Sequence, residues 1–230
     1  MKTLIIIPAY NEQDNIQRVV DNLIENYPQF DYVVINDGSR DDTALICRRN
    51  GYNLIDLPVN LGLAGGFQTG LKYAYKHGYD AAIQFDADGQ HLPQYIQPMI
   101  DEMERTGVDI VIGSRFVTEP KPRSLRMLGS WLIATAMHMT TGRKLTDPTS
   151  GMRLFNSKMI KEFAMDANYT PEPDTISYLM KNGATVSEVQ VSMEERIAGE
   201  SYLNPVNAAK YMLKMGISIV LIQWFRKRKG

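Results

Sequence analysis

Two carboxylates, Asp86 and Asp88, stand two positions apart in the stretch "FDADGQHLPQ", just after the apolar run "YDAAIQF". In an extended strand end, residues i and i+2 face the same way. One carboxylate can then ligate a divalent cation while the other supports it or meets a ligand hydroxyl, and Gln90 adds an amide oxygen. Hard cations such as Mg²⁺ or Mn²⁺ take oxygen ligands and share them with substrate phosphates. A metal held this way neutralises charge building up on a diphosphate leaving group. The competing reading is an Asp-rich turn, since Asp and Gly favour turns for local reasons.

Other chemistries find little support. The Gly-rich stretch "NLGLAGGFQTGLK" (60–72) fits neither dinucleotide nor P-loop spacing, and there is no H-E-x-x-H or G-x-S-x-G. His77, His91 and His138 form no ligand spacing and read as surface or packing residues. The single cysteine, Cys47, excludes an internal disulfide and a multi-cysteine zinc site, and fits a reducing cytosol. A net charge of -1 over 230 residues gives no support to nucleic-acid binding. With 44% hydrophobic and 22% charged residues, the chain is long enough for one sizeable core.

The elements that must position the acids follow from hydrophobic patterning. Apolar segments at Thr3–Pro8, Tyr32–Asn36, Asn53–Leu57, Ala81–Phe85 and Asp109–Gly113 read as buried strands. Stretches with helical spacing lie between them, such as "NIQRVVDNLIENY" with Ile16, Val19, Val20, Leu23 and Ile24 on one face. This alternation predicts an α/β fold, a mostly parallel sheet flanked by helices. Ligands on such sheets bind beyond the carboxyl ends of the strands. There the sequence places "PAYNE" (8–12), "NDGSRDDT" (36–43) and "DADGQ" (86–90). The apolar part of "MKTLIIIPAYNE" is too short for a signal-peptide core and reads as the first strand.

After Arg115 the pattern changes. A basic, Pro-containing segment, "TEPKPRSLRMLG", precedes a helical stretch from Trp131 to Thr141. Then come "TDPTSGMRLFN", a helix at Pro173 to Lys181, a strand at Thr185 to Val191 and a terminal helix from about Asn204. We expect one domain over 1–230, with a donor half (1–115), an acceptor half (116–203) and a C-terminal amphipathic helix (204–230). The run from Met215 to Phe225 is too short to span a bilayer. It reads either as a core-packing helix or as an interfacial anchor, since aromatics and four basic residues close it.

Together "IIIPAYNE", "VINDGSRDDT", "NLGLAGGFQTG", "FDADGQH" and "GSRF" resemble, in order and spacing, family 2 glycosyltransferases of the GT-A (Rossmann-like) fold. "TDPTSGMRLFN" and "MEERIAGESYL" look like the polyprenyl-phosphate branch, which includes dolichol-phosphate mannosyltransferase. The resemblance implies that Pro8, Ala9, Tyr10, Glu12 and Asn60 line the donor pocket, with Asp37 contacting the base. Asp86, Ala87 and Asp88 would hold sugar-diphosphate and an Mg²⁺ or Mn²⁺ ion, with Gln90 as a further metal ligand. Arg115 and Arg196 would meet the donor diphosphate, and Arg123, Arg126, Ser150 and Arg153 an anionic acceptor. Each lone arginine also reads as a solvated surface charge. Arg123 and Arg126 would share a face if their segment is helical.

The resemblance implies an inverting transfer of a sugar from a UDP, GDP or dTDP donor to a polyprenyl phosphate for cell-surface glycan synthesis. The alternative acceptor is a saccharide hydroxyl on a lipid-linked glycan, with Asp174 or Glu172 as base; both also read as caps of their helix. No late Gln/Arg/Trp motif and no transmembrane helices follow. A peripheral place on the cytoplasmic membrane face is therefore expected, with a membrane partner protein and homo-oligomerisation left open. A nucleotidyltransferase is disfavoured by the "PAYNEQDN" loop, and a silent binding subunit by the presence of both Asp86 and Asp88.

Overall fold

The run "TLIIIPA" is buried at every position and forms β1 (Thr3–Ala9) in the computed structural model of the chain. The structure describes residues 1–122, 125–166, 170–194, 211–212 and 214–222. Leu4 and Ile6 enter one core layer and Ile5, Ile7 and Ala9 the other, the alternation of a strand covered on both faces. The other strands are β2 (Asp31–Asn36), β3 (Leu54–Asp56), β4 (Ala81–Gln84), β5 (Ile110–Ser114), β6 (Arg153–Asn156) and β7 (Val186–Gln190). They form one mixed, mostly parallel sheet of order β3-β2-β1-β4-β6-β5-β7.

Helices cover both faces. On one side lie α1 (Ile16–Asn26), α2 (Thr43–Arg49) and α4 (Ile96–Thr106). On the other lie α3 (Gly62–Lys76), α5 (Leu125–Thr141), α6 (Ser157–Met165), α7 (Pro173–Lys181) and the π-wound turn Ser218–Ile222. The five early strands, β7 and α7 fall where patterning puts them, to within a residue or two. Three details differ. Ile24 is exposed, so the buried stripe of α1 is Ile16, Val19, Val20 and Leu23. Helix α5 begins at Leu125, ahead of Trp131. β6 and α6 occupy the region of "MRLFN" and beyond, for which patterning assigned no element. The start expected for the terminal helix, near Asn204, lies outside the described residues.

Helix α3 crosses β1 closely because Gly70 has no side chain. A Cβ there would lie 2.2 Å from Ile6 Cγ2. Gly70→Ala is therefore expected to destabilise the fold by about 1–3 kcal/mol through overpacking, outweighing the roughly 1 kcal/mol that Ala gains in helix propensity. A urea midpoint at or above that of the parent protein would contradict this.

Asp109, just before β5, ties β5 to the end of β6, to the start of α6 and to the approach to β7. Its carboxylate accepts from Asn156 Nδ2 at 3.1 Å, Lys158 Nζ at 3.2 Å and the Thr185 amide at 3.0 Å. Burial pushes its pKa up, but these donors outweigh burial and hold it below the ordinary value of 3.8. A depressed folded pKa stabilises the protein above the unfolded value, and that contribution is lost as pH falls through the folded one. Asp109→Asn should flatten the stability profile below pH 3.8 and lower stability above it, as read by denaturation at stepped pH.

Strands β1, β2, β4, β5 and β7 run one way, so their carboxyl ends share an edge. β6 is antiparallel to β4 and β5 and delivers its amino end, Arg153, to that same edge.

Candidate active site

The loops after β1 and β2 interlock at this edge. Asn11 adopts φ +56°, a left-handed conformation that Asn tolerates. Its amide donates to Ser39 Oγ at 3.0 Å, and its Oδ1 accepts from the Arg40 amide at 2.9 Å. The Glu12 amide donates to Thr43 Oγ1 and the Gln13 amide to Asp41 Oδ2. Tyr10 is exposed on this loop, while Pro8 and Ala9 are buried at its root. Glu12 Oε2 accepts from Asn15 Nδ2 at 2.8 Å.

Asp37 is nearly buried, and its Oδ1 accepts from the Leu61 amide at 2.7 Å. Burial raises its pKa, with the Leu61 and Gly62 amides pulling the other way. Asn60 is exposed and caps the Gly62 amide. Gly38, at φ +66°, makes room for this loop, since a Cβ there would lie 2.6 Å from the Val59 carbonyl carbon. Thus Pro8, Ala9, Tyr10, Glu12, Asp37 and Asn60 are brought to one region of the sheet edge.

The acid pair follows β4. Asp86 is partly exposed, and its Oδ1 accepts from Gln84 Nε2 at 3.1 Å. Asp88 is nearly buried, and its Oδ1 accepts from the Gln90 amide at 3.0 Å, which closes a turn across Gly89, at φ +79°. The expected Asp-rich turn and the acid pair are therefore the same object. Gln90 Nε2 donates to the Glu194 carbonyl at 3.2 Å, and the Glu194 amide donates back to the Gln90 carbonyl at 3.0 Å. Among the described residues, no three His, Cys, Asp or Glu side chains are grouped to hold an ion by themselves. Two carboxylates and an amide oxygen are a hard-oxygen donor set, which fits a cation completing its shell with substrate phosphate and water.

Beyond β5 the structure revises several expectations. Arg115 is not a free-standing cation. Its Nε and Nη2 donate to Asp147 Oδ2 and Oδ1 at 2.6 and 2.9 Å, a bidentate pair with a fully buried carboxylate. Ser150, expected at the acceptor, is fully buried and donates to the Gly113 carbonyl at 2.5 Å. Arg153, expected at the acceptor, is not a solvated surface charge. It is buried, with Nη1 donating to the Pro171 carbonyl and Nη2 to the Pro148 carbonyl at 2.8 Å. Burial pulls its pKa down, while the carboxylates of Glu172, Asp147 and Asp86 favour its charge.

Glu172 and Asp174 stand at the start of α7, yet Glu172 makes no side-chain cap bond. Its Oε2 accepts from the Tyr211 hydroxyl, and Asp174 Oδ2 accepts from Ser218 Oγ at 2.7 Å. Burial and the Glu172 carboxylate push the Tyr211 phenol pKa up, so it keeps its proton and donates. The two acids hold the C-terminal helical segment.

Arg123 and Arg196 lie outside the described residues, as does the side chain of Arg126. Three residues close to these side chains escaped sequence reasoning. Asp147 lies in "TDPTSG", which was noted only as family-like. Lys121 Nζ lies 3.4 Å from Ser130 Oγ; burial lowers its pKa against the opposing pull of Asp147 and Glu188. His91, read as surface or packing, is buried against Phe85 beside Asp86.

Residues 4–164 match the family model described as Glycosyl transferase family 2. A polyprenol monophosphomannose synthase from Mycolicibacterium smegmatis is 27% identical over 227 residues, covering 93% of this chain and 85% of that protein. An undecaprenyl-phosphate mannosyltransferase from Micrococcus luteus is 30% identical over 217 residues, covering 89% and 88%. Among solved structures, glucosyl-3-phosphoglycerate synthase from Mycobacterium tuberculosis, in complex with Mn²⁺, uridine-diphosphate and phosphoglyceric acid, has a TM-score of 0.68 at 17% identity. That match covers 100% of this chain and 80% of the other, and it is a likeness of fold.

Proposed function

This chain belongs to glycosyl transferase family 2 and is a glycosyltransferase, and we propose that it moves a sugar from a nucleoside-diphosphate donor onto a polyprenyl phosphate. The observation that carries the choice of acceptor is the engagement of Glu172 and Asp174 by Tyr211 and Ser218. A saccharide hydroxyl needs a base within hydrogen-bond reach, and both candidate bases are occupied in holding the C-terminal segment. A phosphate is already anionic and needs positioning by cations. Lys121 and Arg115 stand beside Asp147 at the same edge. The names of the two bacterial relatives point to the same acceptor class.

In the reaction, an acceptor phosphate oxygen forms a bond to the anomeric carbon as the bond from that carbon to the nucleoside diphosphate breaks, with inversion. No proton has to leave the nucleophile. The interlocked loops of Asn11 and Ser39 hold the nucleoside end, and Arg115 and Lys121 offer positive charge to donor and acceptor; Arg196, outside the described residues, keeps only the diphosphate role that the resemblance implies. Asp86, Asp88 and Gln90 are the residues to hold Mg²⁺ or Mn²⁺, which when bound stabilises charge on the departing diphosphate. The Mn²⁺ and uridine-diphosphate in the related solved structure support this reading. The test is a transfer assay with either metal and a panel of nucleotide sugars, with and without undecaprenyl phosphate. Donor consumption only with a saccharide acceptor would overturn the proposal.

A lipid acceptor calls for access to a membrane surface. Among the described residues no helix is long and apolar enough to cross a membrane. Helix α5 buries Ile133 and Met137 but exposes Leu128, Trp131, Leu132 and Met139 along one stripe. The adjoining C-terminal turn exposes Val220 and Leu221. No acid occurs in α5 or from Tyr211 to Gly230, where Arg226 to Lys229 are all basic. An exposed apolar stripe in sequence free of acids, with a basic run later in the chain, suits an anionic bilayer surface. Trp131→Glu with Leu132→Glu should weaken sedimentation with phosphatidylglycerol vesicles by about tenfold or more, given roughly 1.5 kcal/mol or more per large apolar side chain buried. Unchanged binding would remove α5 from the membrane contact.

A further inference from the structure

One imidazole reaches Asp86 at two points. The Asp86 amide donates to His91 Nδ1 at 3.0 Å, and Nε2 of the same ring lies 3.6 Å from Asp86 Oδ2. The His91 side chain is only 3% exposed and meets Phe85 edge-on, with ring centroids 5.6 Å apart. Because Nδ1 accepts a hydrogen bond, it carries no proton, and the ring proton sits on Nε2. That N–H faces Asp86 Oδ2, while Gln84 Nε2 donates to Oδ1.

The surroundings leave this arrangement little freedom. Gly151 closes it from below, since a Cβ there would lie 3.1 Å from Asp86 Oδ2 and 3.5 Å from His91 Cε1. The backbone of His91 bridges Met193 in an antiparallel pair, beside the reciprocal Gln90–Glu194 contact. A leucine could fill the space against Phe85. Only a ring with an acceptor on one nitrogen and a proton on the other serves both the amide and the carboxylate of one aspartate.

We propose that His91 is a positioning residue for sugar transfer, selecting the orientation of the Asp86 carboxylate and joining the acid pair to the 191–194 segment. This rests on the reading of Asp86 as a metal and sugar-diphosphate residue. Partners of ligating side chains typically govern metal affinity by about 10- to 100-fold.

Two measurements test it. The first needs no variant: ¹⁵N spectra of the full chain should show His91 as the neutral Nε2–H tautomer, and an Nδ1–H tautomer would overturn the proposal. The second is titration with Mn²⁺ alone, by calorimetry or electron paramagnetic resonance. An Asn oxygen falls near the Nδ1 position and a Gln nitrogen near the Nε2 position. His91→Ala and His91→Asn should therefore weaken Mn²⁺ about tenfold, while His91→Gln stays within about threefold of the parent. Parent-like Mn²⁺ affinity in His91→Ala would overturn the proposal. Absence of Mn²⁺ binding by the parent would instead overturn the metal reading of Asp86 and Asp88, and His91 would then stand or fall on its tautomer.

Discussion

Asp88→Asn should lower sugar transfer by about 10²–10³-fold, the loss typical of removing one preorganised electrostatic contact to a reaction's developing charge. The substitution is close to isosteric. Its amide oxygen can still accept from the Gln90 amide, the bond that closes the turn after β4, so the loop and the sheet edge keep their shape. What disappears is one negative charge in a nearly buried position, and with it a hard donor for a divalent cation. Folding stability should stay level or rise, because a buried charge is costly to desolvate. Initial rates with Mn²⁺ and thermal melting of the same preparation check both halves of the expectation. Turnover like the parent's would take Asp88 out of the metal site and leave the turn reading as the whole account of "DADG".

Arg153→Met should cost about 3–5 kcal/mol of folding stability, the range for removing one partner from a buried charged arrangement. Arg153 is among the largest fully buried side chains. Its fork donates to the Pro171 and Pro148 carbonyls, so one side chain fixes the approach to α7 and the segment leading into β6. Methionine fills the volume but leaves two carbonyls without their donor, each costing about 1–3 kcal/mol when buried. It also leaves Glu172 without the cation that shares its surroundings. Arg153→Lys should recover only part of the loss, since an ammonium lacks the planar fork. The shift in urea midpoint measures the effect. A change below about 1 kcal/mol would mean that the carbonyls find other donors and that Arg153 is a passenger.

Much of this molecule was legible from hydrophobic patterning. Parallel strands buried on both faces need continuous apolar runs, and "TLIIIPA" or "VVIN" can hardly be anything else. Polar motifs at the ends of such runs must gather at one edge, and they do. What patterning could not reach has a common cause. β6 is four residues long, runs against its neighbours and begins with an arginine, so no periodicity marks it. Arg153 looks like a surface charge until the Pro148 and Pro171 carbonyls are seen to close around it. His91 lies in no ligand spacing, because its partner is the backbone and carboxylate of a residue five positions earlier. Glu172 and Asp174 have the local signature of helix capping, but the donors they meet, Tyr211 and Ser218, arrive from about forty positions downstream. Contacts of this kind are made by tertiary approach and leave no local trace.

The reversed strand β6 also governs the order in which the chain can become a protein. β4 and β5 belong to the first half of the sequence, yet neither touches the other; the strip that joins them is Arg153–Asn156. Until β6 is made, neither β4 nor β5 has a partner on the side that β6 will fill. Such edges invite pairing with other chains until they are covered. β4 and β5 can be joined only once residue 156 has been made, and β7 pairs with the far side of β5. A chain cut after residue 115 should therefore aggregate or stay unfolded, although it carries both nucleoside-facing loops and the acid pair.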